Sequence, residues 1–578
     1  MKRVLNNLLF ITALTTLLLA TTSFIPKFET VSKTDTIDKM FSIIPEPVRI
    51  LPGTNQLIID KNTIILAQGE DELKSANFLK EYIDKHYDLK LEIVQEKMKA
   101  RRSNKMVVRF IDLNIGTIAY DIAGFNPSDL KKEGAYILSV ADGVISLKGA
   151  NSQGLFCSVQ TFLQLLPCSK PTPDTLSGQI KLTVNEVNIA DFPRFGYRGM
   201  HLDVVRHFFP VDYIKRYIDY LALHKMNYFH WHLTDDQGWR IESKIHPRLN
   251  EFGSWRAGTI IGLFPGTGVD SVRYGGYYTQ DQIREIIKYA DERYITIVPE
   301  IDIPGHSMAI LAAYPQFSTT PEVPKAPAIT WGIFNRQNNV LAPSEELFVF
   351  LEEVFNELMD LFPGEYIHIG ADECSKIWWK ESEATQQFMK RYGIADEDEL
   401  QAYFVKRVSD VIKSRSRKTV GWDEILEGHL PEGSVVMGWR KAEYGWKAAE
   451  MGYKAILTPN IYSYLNVAQK PDEDTLCHNR YLVTLDSVYN FEPVPEWFSE
   501  YSAANILGGQ GCMWTEYFPT VARLEYALFP RFSAISEVYW SQKRVKNLSR
   551  FREKLLFQFK RYELWGTNYS KAILEEKK

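Results

Sequence analysis

The sequence predicts an α/β protein: a (β/α)8 barrel of the TIM type, preceded by a small α+β domain. A chain of 578 residues exceeds one ordinary domain. Between residues 197 and 511, short β-prone segments alternate with helical segments, as in a barrel built from strand–helix units. An open, doubly wound sheet is the alternative, but the first segment leads into Arg206-His207-Phe208 without the Gly-rich turn typical of that fold.

The N-terminus has the pattern of an export signal. Lys2 and Arg3 precede an apolar run over residues 8–20, and small residues follow it. We therefore expect a signal peptide over residues 1–23 and an exported protein, periplasmic or extracellular. An uncleaved anchor is the alternative, although the run is short for a membrane span. No later stretch is long and apolar enough to span a membrane, so we expect no stable span after cleavage.

Net charge and cysteine pattern narrow the classes of partner and of metal site that are expected. The net charge is −5 and no long basic run occurs, which argues against nucleic acid. The five cysteines form no CxxC pair, which argues against a zinc ribbon. Cys157 and Cys168 are either a disulfide or free thiols. The oligomeric state is not predicted.

Residues 44–190 are predicted to form the α+β domain, without a catalytic constellation. A strand is expected over 57–66, a helix over 71–86 and a second helix over 158–166. Asp142-Gly143 separates two alternating segments, which is typical of a hairpin turn.

Residues 191–545 are predicted to form the barrel, and residues 546–578 a helical tail that packs on it. The eight candidate strands are 197–204, 227–233, 295–301, 366–370, 419–422, 435–439, 455–458 and 506–511. The main candidate helices are 211–224, 279–293, 344–361, 400–413 and 441–451.

Acidic and aromatic residues gather where these strands end. The fourth strand breaks at Gly370-Ala371 and is followed directly by Asp372 and Glu373. Parallel barrels keep their chemistry at the carboxyl ends of the strands, so an active site is predicted there. Polar residues at or near most other strand ends belong to the same prediction: His201, Asp203, His232, Asp235, Asp236, Glu300, Asp302, His306, His368, Asp423, Glu424, Asn466 and Glu516.

Three tryptophans end strands and suit the apolar face of a sugar: Trp422, Trp439 and Trp514. Core packing is the alternative for any one of them. His230 and His232 share one face of a strand and form an HxH pair that can hold zinc. A metal-dependent barrel hydrolase therefore stays a second hypothesis, but we expect no metal and no other cofactor.

Together these motifs resemble glycoside hydrolase family 20, the β-N-acetylhexosaminidases, over about residues 44–540. The motifs are Arg198-Gly199-Met200, His230-Trp231-His232-Leu233-Thr234-Asp235-Asp236-Gln237, Glu300-Ile301-Asp302-Ile303-Pro304-Gly305-His306, His368-Ile369-Gly370-Ala371-Asp372-Glu373, Gly421-Trp422-Asp423-Glu424 and Trp514-Thr515-Glu516. The resemblance implies exo-acting, retaining hydrolysis of terminal N-acetylglucosamine or N-acetylgalactosamine from the non-reducing end of a glycan. It also implies that the substrate's acetamido oxygen is the nucleophile.

The resemblance assigns roles to residues. Glu373 would be the acid and base, Asp372 would hold the acetamido N–H, and Tyr464 would donate to the acetamido oxygen. Asp302 and His306 would tune Glu373. The residues expected to bind the sugar are Arg198, Trp422, Trp439, Asn466, Trp514 and Glu516.

Two positions depart from the family pattern. Ala371 stands where a second Gly is frequent, and Asn466 stands where many members have Asp. The loss of that charge predicts tolerance of a 6-sulfated sugar. A non-catalytic glycan-binding protein is a third hypothesis, although it would be expected to lack a carboxylate, and both Asp372 and Glu373 are present.

Overall fold

The structure is a computed structural model that describes residues 41–95, 110–116, 127–175, 178–473 and 475–575. The predicted signal peptide lies outside these ranges. Within them, no helix combines the length and the hydrophobicity needed to cross a membrane.

The described residues of the N-terminal domain form a seven-stranded mixed sheet and two α-helices. Across the sheet, the strands lie in the order first, seventh, fifth, sixth, fourth, second and third, counted along the chain. The strands are β1 (Arg49–Ile59), β2 (Ile64–Leu66), β3 (Glu92–Val94), β4 (Phe110–Ile115), β5 (Tyr136–Ala141), β6 (Val144–Gly149) and β7 (Leu182–Asp191). The helices are α1 (Glu70–Tyr87) and α2 (Ser152–Leu165).

Two details of this domain differ from the prediction. The expected strand over 57–66 is two strands, because the Asp60 side chain accepts the Asn62 backbone N–H and closes a turn. The second helix begins earlier than expected, where Asn151 caps the Gly154 N–H. The hairpin at Asp142-Gly143 agrees with the prediction.

The predicted barrel is confirmed. Eight parallel strands close in chain order, with the last pairing with the first. They are β8 (Tyr197–Asp203), β9 (Tyr228–His232), β10 (Thr296–Glu300), β11 (Tyr366–His368), β12 (Lys418–Trp422), β13 (Val435–Gly438), β14 (Lys454–Leu457) and β15 (Ile506–Met513). Short two-residue ribbons pair Thr234–Asp235 with Gly238–Trp239 and Trp255–Arg256 with Tyr274–Gly275.

Helices cover the barrel, except that β12 leads into a 3₁₀ turn, Asp423–Glu427. Seven of them are α3 (Val211–Leu223), α4 (Gln280–Asp291), α5 (Glu345–Leu361), α6 (Glu397–Ser414), α7 (Ala442–Glu450), α8 (Arg531–Trp540) and α9 (Leu548–Trp565). The other described helices of this region are Met308–Ala313, Ile377–Lys380, Glu383–Tyr392, Asn460–Ser463, Leu485–Asn490, Glu500–Ala503, Val521–Leu528 and Ala572–Glu575.

The C-terminal helix α9 contacts the N-terminal domain. Trp565 Nε1 donates to Tyr82 Oη at 2.7 Å, and Arg561 donates to the Gln164 carbonyl at 2.9 Å. The tail was predicted to pack on the barrel; it also fastens the N-terminal domain.

Alternation along the strands decides which side chains enter the barrel. In β9, Phe229 and Trp231 belong to the core between barrel and helices, whereas Tyr228 packs on the core inside the barrel. His230 and His232 share the face of Tyr228, because successive strand residues point to opposite sides. The barrel interior therefore carries buried polar groups near its carboxyl end.

Candidate active site

Four polar side chains form a layer across neighbouring strands at the carboxyl end of the barrel. Asp203 pairs in register with His232, His232 with Glu300, and Glu300 with His368. All four are buried. Glu300 accepts hydrogen bonds from His232 and from Trp422 Nε1, the latter at 2.8 Å. This layer is the floor on which the site is built.

The chain turns sharply where β11 ends. Gly370, Ala371 and Glu373 have φ angles of 67°, 74° and 43°, in the left-handed region. A Cβ at Gly370 would lie 1.8 Å from Asp302 Oδ1, so only glycine fits there. Ala371 is held by its N–H to Asp302 Oδ1 and by its carbonyl to Gln401 Nε2. Left-handed alanine costs about 1 kcal/mol, and these bonds offset that cost.

This turn presents Asp372 and Glu373 to a pocket of about 230 Å³. Eight residues predicted for the site line the pocket: His306, Asp372, Glu373, Trp439, Tyr464, Asn466, Trp514 and Glu516. They come from five different strand ends, as a barrel active site requires. Arg206 and Arg480 also line this pocket. They line a neighbouring pocket of about 340 Å³ as well, and Glu373 borders both pockets.

Glu373 is the most exposed carboxylate of the pocket, with 43% of its side chain accessible. His306 Nε2 lies 3.4 Å from Glu373 Oε2, and His306 Nδ1 lies 2.9 Å from Asp236 Oδ2 and 3.2 Å from Asp235 Oδ1. Burial lowers the pKa of His306, but the two aspartates outweigh it and raise the pKa well above its usual range. Burial raises the pKa of Glu373, but the hydrogen bond and charge of His306 lower it overall. The His306–Glu373 pair therefore holds one proton at neutral pH.

Asp302 contacts Asp372, whereas the prediction placed it beside Glu373. It lies against Asp372, to which it is hydrogen-bonded, and not against Glu373. Burial and the charge of Asp372 raise the pKa of Asp302 well above its usual range. Burial also raises the pKa of Asp372, although the charge of His306 and the hydrogen bond with Asp302 oppose this rise. A proton shared by the two carboxyls therefore favours Asp302, and Asp372 is the more acidic of the two. The predicted pair of Asp302 and His306 is partly divided: His306 Nε2 lies 3.4 Å from Glu373 and 3.7 Å from Asp372, whereas Asp302 positions Asp372.

Aromatic rings form one side of the pocket. Trp439 and Tyr464 stack with centroids 6.0 Å apart and an interplanar angle of 12°, and Trp514 lies 6.1 Å from Tyr464. Trp439 Nε1 donates to Glu424 Oε2 at 2.9 Å. Burial, and then the charge of Asp372, raises the pKa of Glu424 to about 8, so this carboxyl is neutral at pH 7.

Trp422 lies below the pocket and does not line it. As the last residue of β12 it points into the barrel, is 1% exposed, and supports Trp514 at a centroid distance of 6.0 Å.

The prediction that Arg198 binds the sugar is wrong. Arg198 stands near the start of β8 and on the face of Met200 and Leu202, which point to the outer helices. Its guanidinium donates to the carbonyls of Phe195 and Lys225 at 2.8 and 3.0 Å. It is 1% exposed and supports the fold at the opposite end of the barrel.

Arg206 takes the place in the pocket that was predicted for Arg198. It follows the carboxyl end of β8 and bonds to Asp235 at 2.6 Å, Gln237 at 2.8 Å and Asp203 at 3.3 Å. These contacts, within the described chain, use three of its five N–H groups and leave one on each terminal nitrogen. In the sequence, the signal that identifies Arg206 is its position just after the end of the first predicted strand.

The far end of the pocket is polar. Asn466 is buried there and Glu516 is partly buried, and His478 Nε2 lies 3.7 Å from Glu516 Oε1. Burial raises the pKa of Glu516, but His478 and Arg206 outweigh it and lower the pKa to about 2. Several buried polar atoms of the pocket have no hydrogen-bond partner among the described residues: Asp372 Oδ1, Asn466 Oδ1, Trp514 Nε1 and Glu516 Oε2.

Groups with metal-ligand chemistry occur at the same end of the barrel. Within the described ranges, each brings three ligand atoms within 4.8 Å of one another: His201, His232 and Glu300; His230, Glu300 and His368; Asp235, Asp236 and His306; and Asp302, His306 and Asp372. Histidines or Arg206 already face Asp235, Asp236 and Glu300. The residues fit a network of buried ion pairs without a metal. The five cysteines are free thiols, Cys157 and Cys168 among them.

Comparison with known proteins agrees with this geometry. The family model "Glycosyl hydrolase family 20, catalytic domain" matches residues 195–543, and the model for domain 2 of that family matches residues 40–192. A β-hexosaminidase of Porphyromonas gingivalis is 37% identical over 93% of this chain, and one of Vibrio furnissii is 38% identical over 70%. The chain spans 65% of the length of each of these relatives.

Solved structures give the same result. A GH20 exo β-N-acetylglucosaminidase of Vibrio harveyi, in complex with N-acetylglucosamine, superposes with a TM-score of 0.78 at 30% identity, covering 92% of this chain and 78% of that one. A β-N-acetylhexosaminidase of Bacteroides fragilis superposes with a TM-score of 0.73 at 27% identity, covering 91% and 96%.

Proposed function

Since this chain belongs to glycosyl hydrolase family 20, we propose that it is an exo-acting, retaining β-N-acetylhexosaminidase that works by substrate-assisted catalysis. The observation that carries the proposal is one pocket lined by Asp372, by the Glu373–His306 pair that holds a proton, and by Tyr464. A carboxylate, a proton donor and a hydroxyl are the groups that an acetamido sugar needs around its anomeric carbon.

The first half of the reaction closes a ring within the substrate. The acetamido oxygen attacks the anomeric carbon while Glu373 gives its proton to the glycosidic oxygen, and the bond to the leaving group breaks. Asp372 accepts the acetamido N–H and stabilises the positive charge of the oxazolinium ion. Tyr464 donates to the acetamido oxygen and holds it in line, and such intramolecular attack contributes about 7–11 kcal/mol when well oriented.

The second half restores the enzyme. Glu373 takes a proton from water, the water oxygen attacks the anomeric carbon, and the oxazolinium ring opens. Two inversions leave the sugar with its original configuration. The proton on His306 Nε2 passes to Glu373 and returns from it across their 3.4 Å contact, so the ring alternates between imidazolium and neutral imidazole. The proton on His306 Nδ1 stays in place because Asp235 and Asp236 face that nitrogen.

Specificity for a single terminal sugar rests on the small volume of the pocket and on the polar groups that line it. Its volume of about 230 Å³ lies below the range of about 300–1,000 Å³ for drug-sized ligands, which suits one sugar ring. The two free N–H groups of Arg206 and the unpartnered oxygen of Glu516 suit the sugar hydroxyls. Trp439 and Trp514 flank Tyr464 and suit the acetamido methyl.

Activity is tested with aryl N-acetylglucosaminides, N-acetylgalactosaminides and glucosides. We expect turnover of the first two and nearly none of the glucoside, which lacks the nucleophile. Glu373→Gln should lower kcat/KM on an unactivated disaccharide by about 10²–10⁴-fold. A thiazoline that mimics the oxazolinium should inhibit. Equal turnover of glucoside and N-acetylglucosaminide, or full activity of Glu373→Gln, would exclude this mechanism.

Tolerance of a 6-sulfated sugar is the finer part of the proposal. Asn466 lies in the pocket with an unpartnered, uncharged oxygen, where an aspartate would repel a sulfate. Asn466→Asp should lower the ratio of 6-sulfated to plain turnover by about tenfold or more. An unchanged ratio refutes the role of Asn466.

The cellular site is proposed from the sequence alone. The basic start and apolar run over residues 1–23 support export to the periplasm or beyond. Fractionation of cells that express the full chain tests this proposal, and recovery of uncleaved protein in the cytosol would refute it.

A further inference from the structure

We propose that Glu300 and His232 are positioning residues for the catalytic acid, acting through a hydrogen-bonded chain that runs from the barrel core to Glu373. The chain consists of Glu300, His232, Asp235, His306 and Glu373. The effect of this chain on turnover rests on the function proposed above, whereas the contacts that form the chain do not depend on that function.

The inner half of the chain is buried between two carboxylates. His232 Nδ1 lies 2.5 Å from Glu300 Oε2, and His232 Nε2 lies 2.9 Å from Asp235 Oδ2. A histidine with a carboxylate at each ring nitrogen donates from both nitrogens and is an imidazolium. Burial lowers the pKa of His232, but these carboxylates raise it to about 10, in agreement with the geometry.

The outer half passes through Asp235 to the acid. Asp235 Oδ2 also receives Arg206, while Asp235 Oδ1 lies 3.2 Å from His306 Nδ1. His306 Nε2 then lies 3.4 Å from Glu373 Oε2. Charges alternate in sign along the whole chain. Because Glu300, His232 and Asp235 are almost fully buried, each charge is compensated mainly by its neighbours and little by water.

Glu300 is fixed by groups outside the chain. His230 Nε2 lies 3.1 Å from Glu300 Oε2, and Trp422 Nε1 donates to Glu300 Oε1 at 2.8 Å. Gln510 Nε2 donates to His230 Nδ1 at 2.8 Å, which leaves the His230 proton on Nε2 for Glu300. His230 is therefore a neutral neighbour of Glu300, and within the described part of the chain it has no hydrogen bond or ion pair with Asp235.

The charge of His232 affects the proton on His306. Asp235 shares its negative charge between His232, Arg206 and His306; without the cation at His232, more of that charge acts on His306. His306 should then hold its proton more tightly. The other charged or titratable groups that face His306 and His232 are Asp236, Asp302, Asp372, Glu373, His201 and His230.

The test compares His232→Gln with His230→Gln. Glutamine can still donate a hydrogen bond in either place, and both positions are buried beside Glu300, but only the first change removes a positive charge. We expect the alkaline limb of kcat/KM to move up by about one pH unit in His232→Gln. It should move by much less in His230→Gln. Equal shifts in the two variants, both of them folded, overturn the proposal.

A measurement without turnover separates this inference from the proposed function. In ¹⁵N-histidine-labelled wild type, NMR should show His232 as an imidazolium with two bound protons at pH 7; a neutral ring overturns the proposal. The His306 signals, assigned through His306→Gln, should titrate at higher pH in His232→Gln. If His232→Gln does not fold, the double variant Glu300→Gln/His232→Gln removes the unpaired carboxylate and should shift His306 in the same direction; no shift refutes the proposal. A wild type that hydrolyses no N-acetylhexosaminide would refute the proposed function and leave this titration valid.

Discussion

Replacing Arg206 and Arg198 by glutamine, one at a time, should separate substrate binding from folding. Both arginines are largely buried, and both lie in β8 or just after it, so residue type and burial do not distinguish their roles. Their contacts do. Arg206 reaches carboxylates and an amide around the pocket, whereas Arg198 donates to backbone carbonyls at the other end of the barrel.

The magnitudes follow from these contacts. Arg206 has two free N–H groups, and a hydrogen bond from a charged donor contributes about 1.5–3 kcal/mol. Loss of two such bonds to sugar hydroxyls amounts to about 3–6 kcal/mol, or about 10²–10⁴-fold in kcat/KM. Asp235 keeps His232 and His306 as cationic partners in Arg206→Gln, so the fold should persist. Arg198→Gln leaves at least one of two buried carbonyls without its donor and should lower the free energy of unfolding by about 2–4 kcal/mol.

The assay pairs urea denaturation with kcat/KM on an aryl N-acetylglucosaminide. We expect Arg198→Gln to keep kcat/KM within about threefold while its denaturation midpoint falls, and Arg206→Gln to show the reverse. If Arg198→Gln lost activity at full stability, or Arg206→Gln bound substrate normally, the assignment from geometry would be refuted.

Three further outcomes are expected. The pKa of Glu424 is about 8 in the folded state, against an ordinary value of 4.5. The contribution of its protonation to the free energy of unfolding is therefore complete below pH 4.5 and is lost as pH rises through 8. In denaturation curves, wild type should lose stability relative to Glu424→Gln between about pH 5 and pH 8. Ala371→Gly should raise the free energy of unfolding by up to about 1 kcal/mol, because φ is 74° there; a loss would show that the methyl packing outweighs the strain. Incubation with a chelator should leave hydrolysis unchanged, and a loss restored by a divalent metal would favour the metal-dependent hydrolase.

The barrel was predictable because its signals are local. Each strand is a short β-prone segment, and its bounds in the structure differ from the prediction by two residues or fewer, as for β10 (Thr296–Glu300) against the expected 295–301. The N-terminal domain was less predictable where a side chain decides the boundary. Asp60 closes a turn inside an apolar run, and Asn151 starts a helix whose first turn contains Gly154, a poor helix former.

The site was predictable only to the level of which residues reach the carboxyl edge. Side chains alternate between the two faces of β8, which places His201 and Asp203 on one face and Arg198 on the other. This alternation, and not the motif around Arg198, indicates correctly which side chains reach the barrel interior. The partners of the two acids are a different matter. Asp302 and His306 are four positions apart on one segment, yet the first contacts Asp372 and the second Glu373. That division depends on the left-handed turn at Gly370, Ala371 and Glu373, which aims adjacent carboxylates at different neighbours. Adjacency in the sequence therefore does not give Asp372 and Glu373 the same surroundings. His306 Nε2 lies 3.4 Å from Glu373 and 3.7 Å from Asp372, whereas Asp302 is hydrogen-bonded to Asp372 and makes no such contact with Glu373 among the described residues. The first acid therefore shares a proton with a carboxyl group, and the second shares one with an imidazole.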